Sequence, residues 1–279
     1  MKILKILKNV TINSIAWLIG LLWILPLMGI LFASIRPYEE IIDGWWHFEN
    51  FHFTLENFFK AWNHESFPIR IGFINSFIVA IPSTILPLII GSLTGYGFAR
   101  FKFPLRDYFF LFIVLFFAVP FQSIAIPVFR ILQTSKLLDT YIGLILVHSS
   151  WGIPFATLFM RNFFLTIPIQ FEEAAKLDGA SDFKIFYKIA LPLSLPAMAS
   201  FSVIQFTWVW SDFFFALLYI LSPEKYLATQ CLPLLKGLYH TPWDLLSAAS
   251  VLLMSIPLII YVLFQKYFIR GMAGWAIKG

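Results

Sequence analysis

Six stretches of this chain are apolar for long enough to cross about 30 Å of hydrocarbon, and no other feature constrains its fold as much. They run approximately over 12–35, 71–98, 108–131, 141–163, 196–221 and 246–268. Inside a bilayer no water is available to the backbone, so a lone span satisfies its N–H and C=O groups only as a helix. The expected fold class is all-α integral membrane, with six transmembrane helices in one domain over 1–279. Composition agrees. Of 279 residues 59% are hydrophobic and 13% charged, about half the charge of a soluble domain. Lys2, Lys5 and Lys8 precede the first apolar run. That run continues past the length of a signal peptide without a convincing small-residue cleavage site, so it reads as an uncleaved first span.

Several classes of function fall away. A single cysteine, Cys231, excludes an internal disulfide and a cysteine metal cluster. The histidines are scattered with no HExxH pair, and no metal site is expected. No glycine-rich phosphate loop is followed by Lys-Ser or Lys-Thr, so the chain is expected to bind no nucleotide and no other cofactor. The net charge of +5 is not a nucleic-acid patch, because the basic residues collect near span ends. With the N-terminus inside, 13 of the 20 lysines and arginines lie on the inner side. The positive-inside rule then places both termini and segment 164–195 in the cytoplasm. The outer segment 36–70 carries Trp45, Trp46, Phe48, Phe51 and Phe53, which form either an interfacial belt against lipid or a partner surface.

The cytoplasmic segment looks folded. Thr166 can cap a helix with Pro168 in its first turn, running to about Leu177. Gly179 permits a sharp turn, and Ser181 and Asp182 suit the start of a second helix. Phe183, Phe186, Tyr187 and Ala190 give that helix an apolar stripe, and Leu191-Pro192 is expected to close it. By amphipathicity alone the stripe faces either lipid or a docked protein.

The spacing decides between them. Glu172-Glu173-Ala174-Ala175, then Asp178-Gly179-Ala180, then Ile189-x-Leu191-Pro192 resembles the EAA motif of ABC-importer permeases, the loop received by the ATPase. The resemblance continues along the chain. Asn75-Ser76, Gly95-Tyr96-Gly97-Phe98-Ala99-Arg100 and Leu137-Leu138-Asp139-Thr140-Tyr141 look like the carbohydrate-importer permeases. Trp210-Ser211-Asp212-Phe213 is similar to their Trp-Asn-Asp-Phe signature, with serine replacing asparagine. The tail from Gln265 to Gly279 resembles the smaller, maltose-type inner permease that pairs with a larger one.

That resemblance implies a permease subunit of an ATP-driven, binding-protein-dependent carbohydrate importer in the cytoplasmic membrane of a bacterium or archaeon. It implies a second homologous permease, two copies of an ATPase holding ATP and magnesium, and an extracytoplasmic solute-binding protein. Lys278 and Gly279 would contact the ATPases. Gln230, Leu232 and Gly237 would lie in an outer loop that reaches the binding protein. Asp212, with Asn75, Trp210 and Ser211, is the candidate lining of the translocation pathway. A buried acid costs about 2.5–3.5 kcal/mol at the centre of a span, so it faces a wet cavity or a polar partner. The alternative for Asp212 is a structural hydrogen bond between helices, aided by Ser211, Asn75 or Gln205. Gly91 and Gly95 form a GxxxG pair suited to close helix packing. A standalone channel, a secondary transporter or a membrane enzyme would need no docking loop. Importers of glycerol phosphate, polyamines or amino acids remain the nearest alternatives.

Overall fold

The computed structural model describes residues 2–237 and 240–276, with side chains placed over 10–237 and 240–267. Every regular element among them is a helix. The long ones are α1 (Lys2–Ser34), α2 (Ile69–Arg100), α5 (Tyr141–Phe164) and α10 (Trp243–Ala276). Between them lie α3 (Arg106–Ala118), α4 (Ala125–Thr134), α6 (Gln170–Leu177), α7 (Asp182–Leu193), α8 (Leu195–Trp210) and α9 (Phe214–Tyr219). Four helices are long and apolar enough to cross a membrane, or up to 6 if each bent pair is one span.

Two expected spans are broken. The third is not one helix over 108–131: it turns through 88° between Ala118 and Phe121. Pro120 is the cause, because the residue before a proline is driven out of the helical region, and Val119 sits at φ −69°, ψ 126°. The fifth is not one helix over 196–221: α8 stops at Trp210, and the chain resumes as the short α9 after Ser211–Phe213.

The chain divides into two compact units, Met1–Arg70 with Cys231–Met254 and Ile71–Gln230 with Ser255–Gly279. In the first, α1 is exposed at every residue from Val10 to Leu27. The segment 36–70 that follows folds around Arg36, which is 1% exposed. Its guanidinium donates to the Glu40 carboxylate at 3.1 Å and to the Trp45 carbonyl at 3.2 Å, and lies over the rings of Phe48 and Phe51. His52 adds a backbone N–H bond to Glu40 at 3.1 Å. Burial pushes the Glu40 carboxyl up, but the bonds from His52 and Arg36 outweigh it and hold it below the usual range. Phe48 and Phe51 thus pack on an arginine, yet both remain exposed, as do Trp46 and Phe53.

In the second unit α2 and α5 approach closely. A side chain at Gly91 would strike Cβ of Ala156, and one at Gly95 would come within 2.8 Å of the Arg161 backbone nitrogen. Thr94 and Thr157 hydroxyls meet at 2.7 Å across the same contact. This is the close helix packing expected of the GxxxG pair. Thr140 caps α5 by accepting from the Gly143 N–H at 3.0 Å. Asp139 ties the α4–α5 connection to the segment after α9. Its carboxylate accepts from the Leu221 and Ser222 N–H groups at 2.9 and 3.0 Å, from the Ser222 hydroxyl, and from Lys225 at 3.1 Å. Burial alone would raise its pKa, yet these donors hold it well below the usual carboxylate range.

Candidate functional site

The segment 164–195 folds as a helical pair, with two local departures from expectation. Thr166 does not cap α6. Its hydroxyl donates back to the Phe163 carbonyl at 2.7 Å, at the end of α5, and Ile169 takes the N-cap position without a side-chain bond. Nor does Leu191-Pro192 end the second helix. The chain widens to a π-turn over Phe186–Ala190, passes through Leu191–Leu193 and breaks at Ser194, where α8 leaves at 70°. The wider turn just ahead of Pro192 makes room for a ring that would clash with the carbonyl of Lys188 in a regular helix. Ser181 does cap α7, accepting from the Lys184 N–H at 3.4 Å.

Gly179 makes the turn between α6 and α7. Its φ is +76°, and the Ala180 N–H donates to the Ala175 carbonyl at 2.9 Å while its own N–H donates to Lys176 at 3.0 Å. These two bonds are a Schellman motif, whose left-handed residue is usually glycine. The space around Gly179 is open, so the demand for glycine comes from the backbone and not from crowding. Lys176 and Asp182 bridge the turn at 2.9 Å, and this contact raises the lysine's pKa.

The expected coupling residues separate into two faces. Glu173, Ala174, Asp178, Gly179 and Pro192 are exposed; Ala175, Ala180, Ile189 and Leu191 are half-buried. Phe171, Leu177, Phe183 and Tyr187 also point outward, and Leu177 is 90% exposed. Glu172 points the other way and is 3% exposed. Its carboxylate accepts from Arg100 Nε at 2.7 Å and from the Tyr96 hydroxyl at 2.9 Å, and Arg100 also donates to the Ile167 carbonyl at 2.9 Å. This joint fastens α6 to the end of α2. Around it Tyr96, Phe159, Met160, Phe164, Phe186, Ala190 and Phe201 form one apolar cluster. The expected apolar stripe of α7 is therefore split. Phe186 and Ala190 belong to the core, whereas Phe183 and Tyr187 remain free on the surface.

The candidate pathway residues also separate. Asn75 donates to the Glu224 and Tyr226 carbonyls at 3.1 and 2.9 Å, holding the loop after α9. Trp210 is 2% exposed and packs against Phe73, Phe77 and Phe206. Ser211 and Asp212 instead line a cavity of about 530 Å³. Asp212 caps α9, accepting from the Ala216 N–H at 3.1 Å and the Phe215 N–H at 3.4 Å. His148 Nε2 stands 3.7 Å from its carboxylate.

The other walls of this cavity include Trp151, Gln205 and Trp208. Of these only Gln205 stands out in the sequence, as a partner for Asp212, and it serves differently. Pro87 leaves the Ser83 carbonyl without its helical donor, and Gln205 Nε2 supplies one at 3.2 Å. Gly152 makes room for it, since a Cβ there would lie 2.6 Å from Gln205 Nε2. Trp151, at i+3 from His148, is one helical turn along the same face of α5, a spacing the sequence does contain.

Gln230, expected in an outer contact loop, is 4% exposed, with its amide bonded to the Ile220 carbonyl at 3.2 Å and the Leu227 N–H at 3.1 Å. Leu232 and Gly237 are half-buried. Lys278 and Gly279 lie outside the described residues. Among the described residues no group of three or more His, Cys, Asp or Glu side chains stands where a metal would be held.

Known proteins share this design. The chain is 54% identical over 275 residues to a protein of Pyrococcus horikoshii named as a probable ABC transporter permease, covering 99% of this chain and 100% of that one. It is 36% identical to the osmoprotective compounds uptake permease of Synechocystis, over 93% of this chain and 89% of that one. It is 35% identical to the alpha-glucoside transport system permease of Rhizobium meliloti, over 81% and 61%. The fold matches a chain from the crystal structure of a bacterial ABC transporter involved in import of the acidic polysaccharide alginate. There the TM-score is 0.80 at 21% identity, over 94% of this chain and 96% of that one. Residues 87–274, which include segment 164–195 and Asp212, match the model of one transporter family. The chain belongs to that family, the inner membrane components of binding-protein-dependent transport systems.

Proposed function

We propose that this chain is one of two permeases in an importer for a neutral carbohydrate, driven by ATP hydrolysed on separate subunits. The observation that carries the reading is the α6–α7 pair. It turns four large apolar side chains, Phe171, Leu177, Phe183 and Tyr187, away from the chain's own core on a helical pair rimmed with charge. A buried ion pair holds that surface to a membrane helix. Such a surface fits a cleft on a cytoplasmic ATPase. Two ATPase copies holding ATP and magnesium, a second permease and an outer solute-binding protein complete the proposed assembly. Both termini lie in the cytoplasm of a bacterium or archaeon. The alpha-glucoside relative supports the solute class.

The test is purification through a tag on this chain. An ATPase, a second permease and a solute-binding protein should co-purify, and a neutral saccharide should stimulate ATP hydrolysis in vesicles. The purified single chain should hydrolyse none. Steady turnover by that chain alone would refute the division of labour, and stimulation only by an amino acid, a polyamine or glycerol phosphate would refute the solute class.

A further inference from the structure

The cavity beside Asp212 is built from interruptions. It lies where the third crossing breaks at Val119-Pro120, where the fifth breaks at Ser211–Phe213, and beside Trp151 and Gly152 at the midpoint of α5. Irregular backbone at membrane depth persists only where protein buries it or where it lines a watery space. Broken helices converging near mid-membrane are a recurring architecture for solute sites. At about 530 Å³ the volume falls among small-molecule sites, which span about 300–1,000 Å³.

Two of its lining residues each carry a buried polar atom without a hydrogen-bond partner, His148 Nε2 and Gln205 Oε1. Both side chains are more than nine-tenths buried. An orphaned buried polar atom costs about 1–3 kcal/mol, so a site that retains two of them is matched to something that arrives. The gap of 3.7 Å between His148 and Asp212 is too long for a direct bond and leaves room for a hydroxyl to reach both. The same lining includes the rings of Trp151, Trp208, Phe117, Phe121 and Phe215, with Phe215 edge-on to His148 at 5.6 Å. Aromatic faces with a few fixed donors and acceptors suit a ring that is apolar on its C–H faces and polar at its edges. Among the described residues no lysine or arginine lines the cavity, which disfavours a phosphate or a carboxylate as its ligand.

We infer that this chain itself carries a binding subsite for one neutral sugar ring, walled by Trp151 and Trp208 and read by His148, Gln205 and Asp212. The inference rests on the carbohydrate-importer reading and adds that this permease selects among sugars instead of serving only as a wall.

The experiment uses the whole importer, purified through this chain and reconstituted in proteoliposomes with its binding protein. A panel of radiolabelled neutral mono-, di- and trisaccharides is run beside putrescine, glycine betaine and glycerol 3-phosphate. If no neutral saccharide enters with the wild type, the carbohydrate reading fails and the subsite with it. Where saccharides enter, Trp151→Ala and Gln205→Leu should each lower their uptake per assembled complex about tenfold. That factor corresponds to about 1.4 kcal/mol of lost contact. Both should also change the order of preference within the panel, and Trp151→Phe should restore most of it. Should Trp151→Ala fail to assemble, Ala118→Trp fills the same space and should exclude the larger saccharides first. Saccharide uptake that falls equally for every member, or not at all, would overturn the subsite and leave the carbohydrate reading standing.

Discussion

Glu172 and Glu173 are neighbours in sequence and belong to opposite surfaces. Successive residues on a helix point about 100° apart, so only one of the two can enter the contact with α2. Glu172 does, and the Arg100 guanidinium and Tyr96 hydroxyl complete its bonding. Removing one member of a buried pair leaves the other uncompensated, at about 3–5 kcal/mol. Glu172→Gln should therefore lower the thermal midpoint of the purified permease by several degrees, while Glu173→Gln should leave it near the wild type. Equal midpoints for the two variants would show that the joint holds nothing. The motif pointed to both glutamates as contacts for an ATPase. Its spacing marks the segment, but the inward turn of one glutamate depends on Arg100, 72 residues away, and no local pattern encodes that pairing. The pathway residues show the same limit. Asp212 was legible because a lone acid in an apolar span needs a reason. Trp210 and Trp208 differ by two positions and not in kind, so only packing could tell the buried ring from the one at the cavity.

At the scale of elements, the turn at Gly179 has a sharp dependence on residue type. Its left-handed φ costs about 1–2 kcal/mol for an ordinary side chain, and asparagine tolerates it best after glycine. Because the space around it is open, size matters less than backbone freedom. Gly179→Val should lower uptake per ATP hydrolysed in the reconstituted importer, and Gly179→Asn should keep most of it. The two variants behaving alike would place the effect in bulk at the docked surface instead. The helices themselves were legible from hydropathy and length. Pro120 signals a kink in its span, though not one of 88°, while the break at Ser211 was not legible, since a hydropathy window averages across it and sees one long apolar run. Pro192 misled in the other direction. Proline commonly ends a helix, but here a π-turn ahead of it lets the helix continue to Leu193.

For the whole molecule, orientation is the property with the most direct test. Cys231 is 4% exposed, and burial pushes its thiol up to about 11, which leaves it unreactive near neutral pH. The native chain thus supplies a quiet background for labelling. Phe183→Cys, at a position 72% exposed on α7, should react with a membrane-impermeant maleimide in inside-out vesicles and not in right-side-out ones. Labelling from the outer face would invert the topology that the lysine and arginine count predicts.

The buried joint at Glu172 has a mechanical meaning. A contact in which Glu172, Arg100 and Tyr96 are locked by three bonds, one of them to the Ile167 carbonyl, has little slack, so a push on α6 passes into α2 as displacement instead of being lost in rotamer changes. Helix α2 is 32 residues long, about 48 Å at the rise of an α-helix. From Arg100 the rod is uninterrupted for about 20 Å, until Pro87, where a missing N–H makes it most compliant. That soft point is the one Gln205 braces through the Ser83 carbonyl, directly against Gly152. A stroke delivered at the Arg100 end would therefore be spent where the rod bends, on the wall of the cavity.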